Sequence, residues 1–351
     1  MLNFGDDRLR ARRCLWRCLV WRGVSSRATQ RSCLAGGARA RLRTRSAGAI
    51  GDRVLSGICA LAGLLVVAVL VEIAYQVISG ASLSTSRFGL GFLLDAQWQP
   101  NFGRFGATAM LYGTAVSSLV ALALAAPLGV AIGLYLSLLA PRGVCAVVGP
   151  LVEMLAAIPS VILGLWGVIV LAPFLQRQEG WLHSALGFIP IFGSAQTTGL
   201  SLFTAGLILA IMVLPIVASL SRDLFLTVPR ELREGAEALG GTRWEVIRGV
   251  VLPTTVSGVA AASVLGLGRA LGEAIAVAQV VGNLNLIHPS LFAPGATLAS
   301  RIALDFQFTV SKLHTASLFY LAVVLLAINL LASLGAQAIA ARFDVQRALA
   351  R

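Results

Sequence analysis

Arg269 and Glu273 are charged residues that lie four positions apart inside a long apolar segment. On one continuous helix, this spacing places both side chains on the same face. A charge at the centre of a membrane-crossing helix costs about 2.5–3.5 kcal/mol, so such residues normally face a bundle interior or an aqueous path. Arg269 would then line the route of an anion, with Glu273 positioning it. The alternative is a self-neutralising ion pair that only holds the bundle together, although arginine before glutamate is the weaker order.

A further acid, Glu153, opens the apolar stretch that leads to Pro159 and Ser160. The proline predicts a kink, because it lacks a backbone N–H and clashes with the preceding turn. Glu153 is expected either to form a salt bridge with a neighbour or to cap backbone groups near the kink. A structural role is the favoured interpretation of these three residues, and a place along the path is the alternative.

A long polar insertion, residues 222–253, interrupts the apolar part of the chain; it is called the coupling loop below. Pro229 suits a first helical turn, and Gly240-Gly241 can end that helix with a left-handed residue. Thr242 and Glu245 have the spacing of a capping box, which starts a second helix. The pattern predicts a short helix, a glycine turn and a helix that re-enters the membrane. An ordinary loop helix lying on lipid headgroups is the alternative.

The first part of the coupling loop carries a spaced motif. Its members are Glu234, Gly235, Ala236, Leu239 and Gly240. Their spacing, continued to Leu252-Pro253, resembles the EAA loop of ABC-transporter permeases, with Gly235 in place of the commoner alanine. The resemblance implies that these residues couple the chain to a separate ATPase subunit.

The composition predicts an all-α polytopic membrane protein that must position these residues. The 351-residue chain is 57% hydrophobic and 12% charged, about half the charge of a typical soluble domain. Six apolar windows are long enough to cross a bilayer, which takes about 20 residues each. The predicted windows are Val54–Ile78, Ala107–Leu139, Val144–Leu171, Gly199–Leu220, Thr254–Val281 and Ala316–Ala341.

The placement of basic residues predicts the orientation. Most of the 28 lysine and arginine residues lie in the amino tail, at Arg142, in the coupling loop and at the carboxyl end. Both termini and the coupling loop are therefore predicted to be cytoplasmic. Residues 1–50 are predicted to be a disordered arginine-rich tail, and residues 51–351 the membrane domain. Attraction of this tail to anionic membrane lipid, a transit peptide and an upstream start codon are three interpretations of its composition, and its charge does not indicate nucleic-acid binding.

The chain lacks the residues that several classes of function require. Lys312 is the only lysine, which rules out the G-x-x-x-x-G-K-[ST] loop that binds ATP. The five cysteines and three histidines do not have the spacing of a metal site. We therefore expect no catalytic residue, no metal and no cofactor. If transport is ATP-driven, the ATPase is another polypeptide.

Two further segments indicate which group of ABC permeases the chain resembles. They are Ile158-Pro159-Ser160 and the run from Gly268 to Val277. Over residues 51–345 the chain resembles the phosphate-specific ABC permeases of the PstC type. The resemblance implies the six-helix, MetI-like fold of type I ABC importer permeases, in a bacterial inner membrane. It also implies a PstA-type second permease, a PstB-type ATPase dimer and an extracytoplasmic PstS-type phosphate-binding protein as partners.

The predicted function is therefore the permease subunit of an ATP-driven importer of inorganic phosphate. One alternative is an ABC permease for another oxyanion or a phosphonate. A second, of a different class, is a secondary transporter in which Glu273 carries protons. ATP-dependent phosphate uptake by the purified complex, with and without this subunit, would separate these hypotheses.

Overall fold

A computed structural model describes residues 27–186, 193 and 198–342 of the chain. The chain divides into two units, residues 1–73 and 74–351. In the described part of the first unit the chain is helical from Arg27, and apolar side chains such as Leu64 and Leu70 are exposed along it. The elements that position the candidate site all belong to the second unit.

The first helix, α1 (Arg27–Phe88), includes residues 27–50 of the predicted tail. This part of the tail is rich in alanine and arginine, which are strong helix formers. It also continues directly into an apolar helix, so no separate and unfavourable nucleation step is needed. Residues 1–26 of the predicted tail lie outside the described residues.

Twelve further helices follow α1 in the described part of the chain. They are α2 (Gly91–Leu94), α3 (Thr108–Leu134), α4 (Arg142–Ala156), α5 (Ser160–Trp166), α6 (Ala172–Leu186), α7 (Leu202–Thr227), α8 (Arg230–Ala238), α9 (Arg243–Val246), α10 (Leu252–Gly272), α11 (Ile275–Val280), α12 (Leu298–Asp305) and α13 (Lys312–Arg342). π-Helical turns extend α3 (Tyr135–Leu139), join α5 to α6 (Gly167–Leu171) and join α9 to α10 (Ile247–Val251).

Two short strands form a hairpin before α3. Strand β1 (Trp98–Gln99) pairs antiparallel with β2 (Arg104–Phe105) across a 3₁₀ turn, with Trp98 opposite Phe105. The Trp98 indole donates a 2.8 Å hydrogen bond to Asp305 Oδ2 at the end of α12. In turn the Leu298 amide, at the start of α12, donates to Thr114 Oγ1 of α3 at 2.9 Å. These bonds fix the hairpin and α12 to the same end of α3.

Six helical stretches of the described residues are long and apolar enough to cross a membrane, as predicted. They are Arg53–Phe88, Thr108–Leu139, Ser160–Gln178, Leu202–Thr227, Arg243–Gly272 and Lys312–Gly335. Two of the predicted windows need correction. The third window, Val144–Leu171, covers two helices, and the fifth, Thr254–Val281, ends too late.

The third window fails because the helix breaks at Pro159. Helix α4 ends at Ala156, and Pro159 takes an extended ψ of 136° before α5 begins at Ser160. A proline disfavours the helical conformation of the residue before it, so the chain must leave the helix there. The predicted kink is thus a full break, and α4 is a separate 15-residue helix.

Helix α7 lies at the centre of the second unit and is buried along most of its length. Glycines bring its neighbours close. A Cβ atom on Gly129 of α3 would lie 2.9 Å from Val217, and one on Gly266 of α10 would lie 2.6 Å from Val213. Membrane helices pack through such small residues because lipid provides no hydrophobic drive for their association.

Candidate functional site

Arg269 lies in the last turn of α10 and is exposed. Two faces of this helix differ. Gly266 packs tightly on α7, whereas Cβ atoms on Gly268 and Gly272 would meet nothing within 4 Å. Among the described residues, no hydrogen bond or salt bridge involves Arg269. Its guanidinium therefore stands on an open, glycine-lined face of the helix.

An open cavity of ≈ 520 Å³ adjoins this face. It lies between α7, α10 and α13 and is lined by Ile216, Ala261, Val264, Leu265, Gly268, Arg269, Ser333 and Gln337. Most of these side chains are apolar, and Arg269 is the only charged one. The hydroxyl of Ser333 and the amide of Gln337 add neutral hydrogen-bonding groups. A single guanidinium in such a setting suits a small oxyanion, because its planar fork can donate two hydrogen bonds.

Within the described residues, Glu273 does not form the ion pair with Arg269 that was the alternative interpretation, and α10 ends before Glu273. Helix α10 ends at Gly272, and Glu273 has an extended ψ of 119°. Its Oε1 accepts a hydrogen bond from the Ala276 amide at 3.3 Å, inside the first turn of α11. The carboxylate thereby satisfies an amide that has no partner within its own helix, next to the positive end of the helix dipole. Glycine just before this point weakens the helix further.

The structure brings the two sequence segments that narrowed the family resemblance into contact. Helix α5, which begins at Ser160, packs on α11, which follows Glu273. The two helices are close at Gly164, where a Cβ atom would lie 2.8 Å from the Ala276 Cα and would overlap the Gln279 Oε1. Pro159 and Glu273 therefore start the two helices that meet here. The residue that caps α5 is Pro159, which has no side chain able to form a capping hydrogen bond, and Ser160 is the first residue of the helix.

Glu153 lies elsewhere and has a partner on α7. Its Oε1 is 3.5 Å from Arg222 Nη1, and the two side chains are 61% and 30% exposed, respectively. Gly149, one turn earlier on α4, leaves room for the guanidinium, since a Cβ atom there would lie 3.2 Å from Arg222 Nη1. Of the two predicted roles for Glu153, the salt bridge is the one observed. This pair ties α4 to α7.

The coupling loop has the predicted local structure. Helix α8 begins after Pro229, and Gly240 adopts a left-handed φ of +87°. The Thr242 amide donates to Glu245 Oε2 at 2.7 Å, and the Glu245 amide donates to Thr242 Oγ1 at 3.4 Å. These reciprocal bonds form the predicted capping box at the start of α9. Close neighbours in sequence thus define the whole turn.

The outer face of the coupling loop exposes several apolar groups. Leu232 is 52% exposed, Leu239 92% and Trp244 63%. Glu234 is also exposed, and a Cβ atom on Gly235 would meet nothing within 4 Å. Ala236 is half-buried. A short helix that presents leucines and a carboxylate in this way is suited to bind in a groove of another protein.

The comparison with protein families covers both regions. The model of the binding-protein-dependent transport system inner membrane components matches residues 125–345, which include the coupling loop and Arg269. The chain belongs to this family. It is a multi-pass protein of the bacterial inner membrane, and its six apolar helices agree with that membership.

Individual members of the family are similar over most of the chain. The phosphate transport system permease protein PstC of Mesorhizobium japonicum is 41% identical, over 81% of this chain and 88% of that protein. PstC of Haemophilus influenzae is 42% identical, over 71% and 80%. A chain of the inward-facing MetNI methionine ABC transporter aligns with 68% of this chain and 94% of its own, at 19% identity and a TM-score of 0.47. The two sequence relatives confirm the predicted resemblance to PstC-type permeases.

The sequence patterns did not single out four residues that lie next to the predicted ones in the structure. They are Arg222, Gln279, Ser333 and Gln337. Ser333 and Gln337 are a polar pair one turn apart in an apolar helix, a signal that could have found them. Arg222 and Gln279 carry no such spacing, and only the packing of distant helices reveals their contacts. Among the described residues, no group of three or more histidine, cysteine or acidic side chains could hold a metal ion.

Proposed function

We propose that this chain is the permease subunit of an ATP-driven importer of inorganic phosphate. The observation that carries the proposal is the exposed Arg269, which has no ion-pair partner among the described residues and lines an open, mostly apolar cavity. The PstC relatives are permease proteins of phosphate transport systems, which supports phosphate as the substrate.

Arg269 acts as the cation of the substrate path. A phosphate anion must leave water to cross the membrane, and a guanidinium offsets part of that cost by charge and by two parallel hydrogen bonds. Ser333 and Gln337 offer further hydrogen bonds from α13. Because Glu273 is bonded to the start of α11, it does not neutralise Arg269, and the arginine stays available for the anion.

Glu273, Glu153, Pro159 and Ser160 act by positioning helices. Glu273 starts α11 beside the Arg269 turn, and Pro159-Ser160 starts α5, which packs on α11 through Gly164. Glu153 holds α4 on α7. These residues keep the turn that carries Arg269 at a fixed place in the bundle.

The coupling loop transmits the conformational changes of the ATPase to the membrane helices. Glu234, Gly235, Ala236, Leu239 and Gly240 form the contact with the ATPase dimer. The chain itself has no P-loop sequence, so ATP is hydrolysed by the partner subunits. In this proposal both termini and the coupling loop face the cytoplasm, a second permease completes the path, and a phosphate-binding protein delivers the substrate on the opposite side.

Phosphate uptake by the reconstituted transporter tests this proposal. Arg269→Ala should abolish uptake while the complex still assembles, and Arg269→Lys should restore only part, because an ammonium lacks the planar fork. Arg142→Ala is the matched control, since Arg142 is an exposed arginine at the start of α4, away from the cavity. Wild-type uptake by Arg269→Ala would refute the proposed role of this residue. If the transporter took up a phosphonate or another oxyanion but not phosphate, that anion would be its substrate.

A further inference from the structure

A second cavity lies between the coupling loop and the π-helical turn that extends α3. Its volume is ≈ 210 Å³, several times the volume of a water molecule, about 30 Å³. It is surrounded by residues from the π-helical turn after α3, from α8, from α9 and from the π-helical turn that joins α9 to α10. They are Leu138, Leu139, Arg233, Glu237, Arg243, Val246, Ile247 and Val251.

The charges that line this cavity do not pair with each other. Arg233 and Glu237 come from α8 and Arg243 from α9, and no salt bridge within the described part of the chain involves any of them. The Nε of Arg233 is buried and has no hydrogen-bond partner among the described residues. A buried donor of a charged group is costly when it has no acceptor. The cavity thus carries one excess positive charge and an unused donor.

The walls of the cavity favour an anion over water. Val246, Ile247 and Val251 are buried apolar side chains, and they lower the local dielectric constant around the guanidinium groups. Two arginines can each donate a pair of hydrogen bonds to the oxygens of one phosphate group. Leu138 and Leu139 lie at the end of a helix that is long and apolar enough to cross a membrane, so we expect the cavity to lie near the lipid headgroups.

We propose that this cavity binds a phosphate-type oxyanion through Arg233 and Arg243. The anion is either free inorganic phosphate or the phosphate of an anionic lipid headgroup. The location on the cytoplasmic side rests on the proposed function, whereas binding itself does not. Because the two arginines lie on either side of the Gly240 turn, one bound anion links α8 to α9. It would thereby fix the angle of the helix that contacts the ATPase.

Binding to the transporter purified from its native membrane, with its accompanying subunits, tests this inference. All variants carry Arg269→Ala, so that the proposed substrate path does not contribute. Radiolabelled inorganic phosphate is the first probe, and phosphatidylglycerol counted by native mass spectrometry is the second. Arg233→Gln and Arg243→Gln should each weaken binding about tenfold, which corresponds to ~1.4 kcal/mol. Arg230→Gln is the control, since Arg230 is an exposed arginine of α8 that does not line the cavity.

Glu237→Gln gives a result that misfolding cannot produce. Removing this carboxylate removes repulsion of the anion, so binding should strengthen while Arg233 and Arg243 remain. An effect on inorganic phosphate identifies the free anion, and an effect on phosphatidylglycerol alone identifies the lipid. The inference is overturned if Arg233→Gln and Arg230→Gln bind both probes equally, or if Glu237→Gln leaves binding unchanged. Loss of uptake in Arg269→Ala bears only on the proposed function.

Discussion

The two ends of the helical rod formed by α9, its π-helical turn and α10, residues Arg243–Gly272, are built in different ways. At the coupling-loop end, the Gly240 turn and the Thr242–Glu245 capping box are closed by bonds between near neighbours in sequence. At the other end, the rod stops at Gly272, and α11 is held by α5, more than a hundred residues earlier in the chain. Both ends expose functional candidates, Leu239 at one and Arg269 at the other.

The difference between the two ends predicts which substitutions should affect contact with the ATPase and which should affect anion transport. A locally built turn can be damaged without disturbing the bundle, because its bonds involve few other elements. The end of the rod that carries Arg269 is held by helices distant in sequence. Its structure therefore changes when those helices shift, even when Arg269 itself is intact. The contact with the ATPase and the path for the anion should therefore be separable by mutation.

Gly164→Ala should have the largest effect on the end that carries Arg269. The added methyl group meets the Ala276 backbone at 2.8 Å and overlaps Gln279 Oε1, so α5 and α11 must separate. Overpacking of this kind costs about 1–3 kcal/mol. Phosphate uptake should fall strongly while the ATPase still co-purifies. Both quantities should be measured in the same membranes.

The control for this variant is Gly249→Ala, in the π-helical turn of the rod, where an added Cβ meets nothing within 4 Å. It should retain uptake. If Gly164→Ala also retained full uptake, the contact between α5 and α11 would not support the Arg269 end, and the contrast between the two ends would fail.

Gly240→Val should have the next largest effect, at the opposite end. Gly240 has φ +87°, and a left-handed conformation costs a β-branched residue roughly 1–2 kcal/mol. Helix α8 should rotate away from the ATPase, so that co-purification of the ATPase and uptake both fall. Gly143→Val, at an open position in α4, is the matched substitution and should change neither. Normal co-purification in Gly240→Val would show that the loop is not the coupling element.

Glu273→Ala should have a smaller effect, on stability first. The substitution removes the acceptor of the Ala276 amide, and loss of a helix cap costs about 0.5–2 kcal/mol. Glu273→Gln retains a side-chain oxygen and should recover most of this loss. The thermal unfolding midpoint of the purified protein measures it. If glutamine were as harmful as alanine, the charge of Glu273, and not its hydrogen bond, would be its contribution.

Deletion of residues 2–45 should have the smallest effect. Residues 27–45 belong to the first unit, whereas Arg269 and the coupling loop belong to the second, so uptake should remain largely unchanged. Membrane insertion of the shortened chain is the necessary control. A strong loss of uptake with normal insertion would assign the arginine-rich tail a role in transport.

Features that depend on short-range chemistry could be predicted from the sequence alone. Composition predicted six membrane helices, because about 20 apolar residues are needed for each crossing. Local spacing predicted the α8 helix, the left-handed Gly240 and the capping box, because each depends on residues only a few positions apart. The spaced motifs also indicated the family that the comparisons show.

The positions where those helices break, and the pairs of charges that meet, depend on contacts between distant parts of the chain. The spacing of Arg269 and Glu273 permitted an ion pair, but α10 ends before Glu273, and the Glu273 carboxylate accepts a hydrogen bond from the Ala276 amide of α11. The partner of Glu153, Arg222, lies 69 residues away, and the neighbours of Arg269 in the cavity come from α7 and α13. No local pattern encodes such contacts, because they form only when distant helices pack through their glycines.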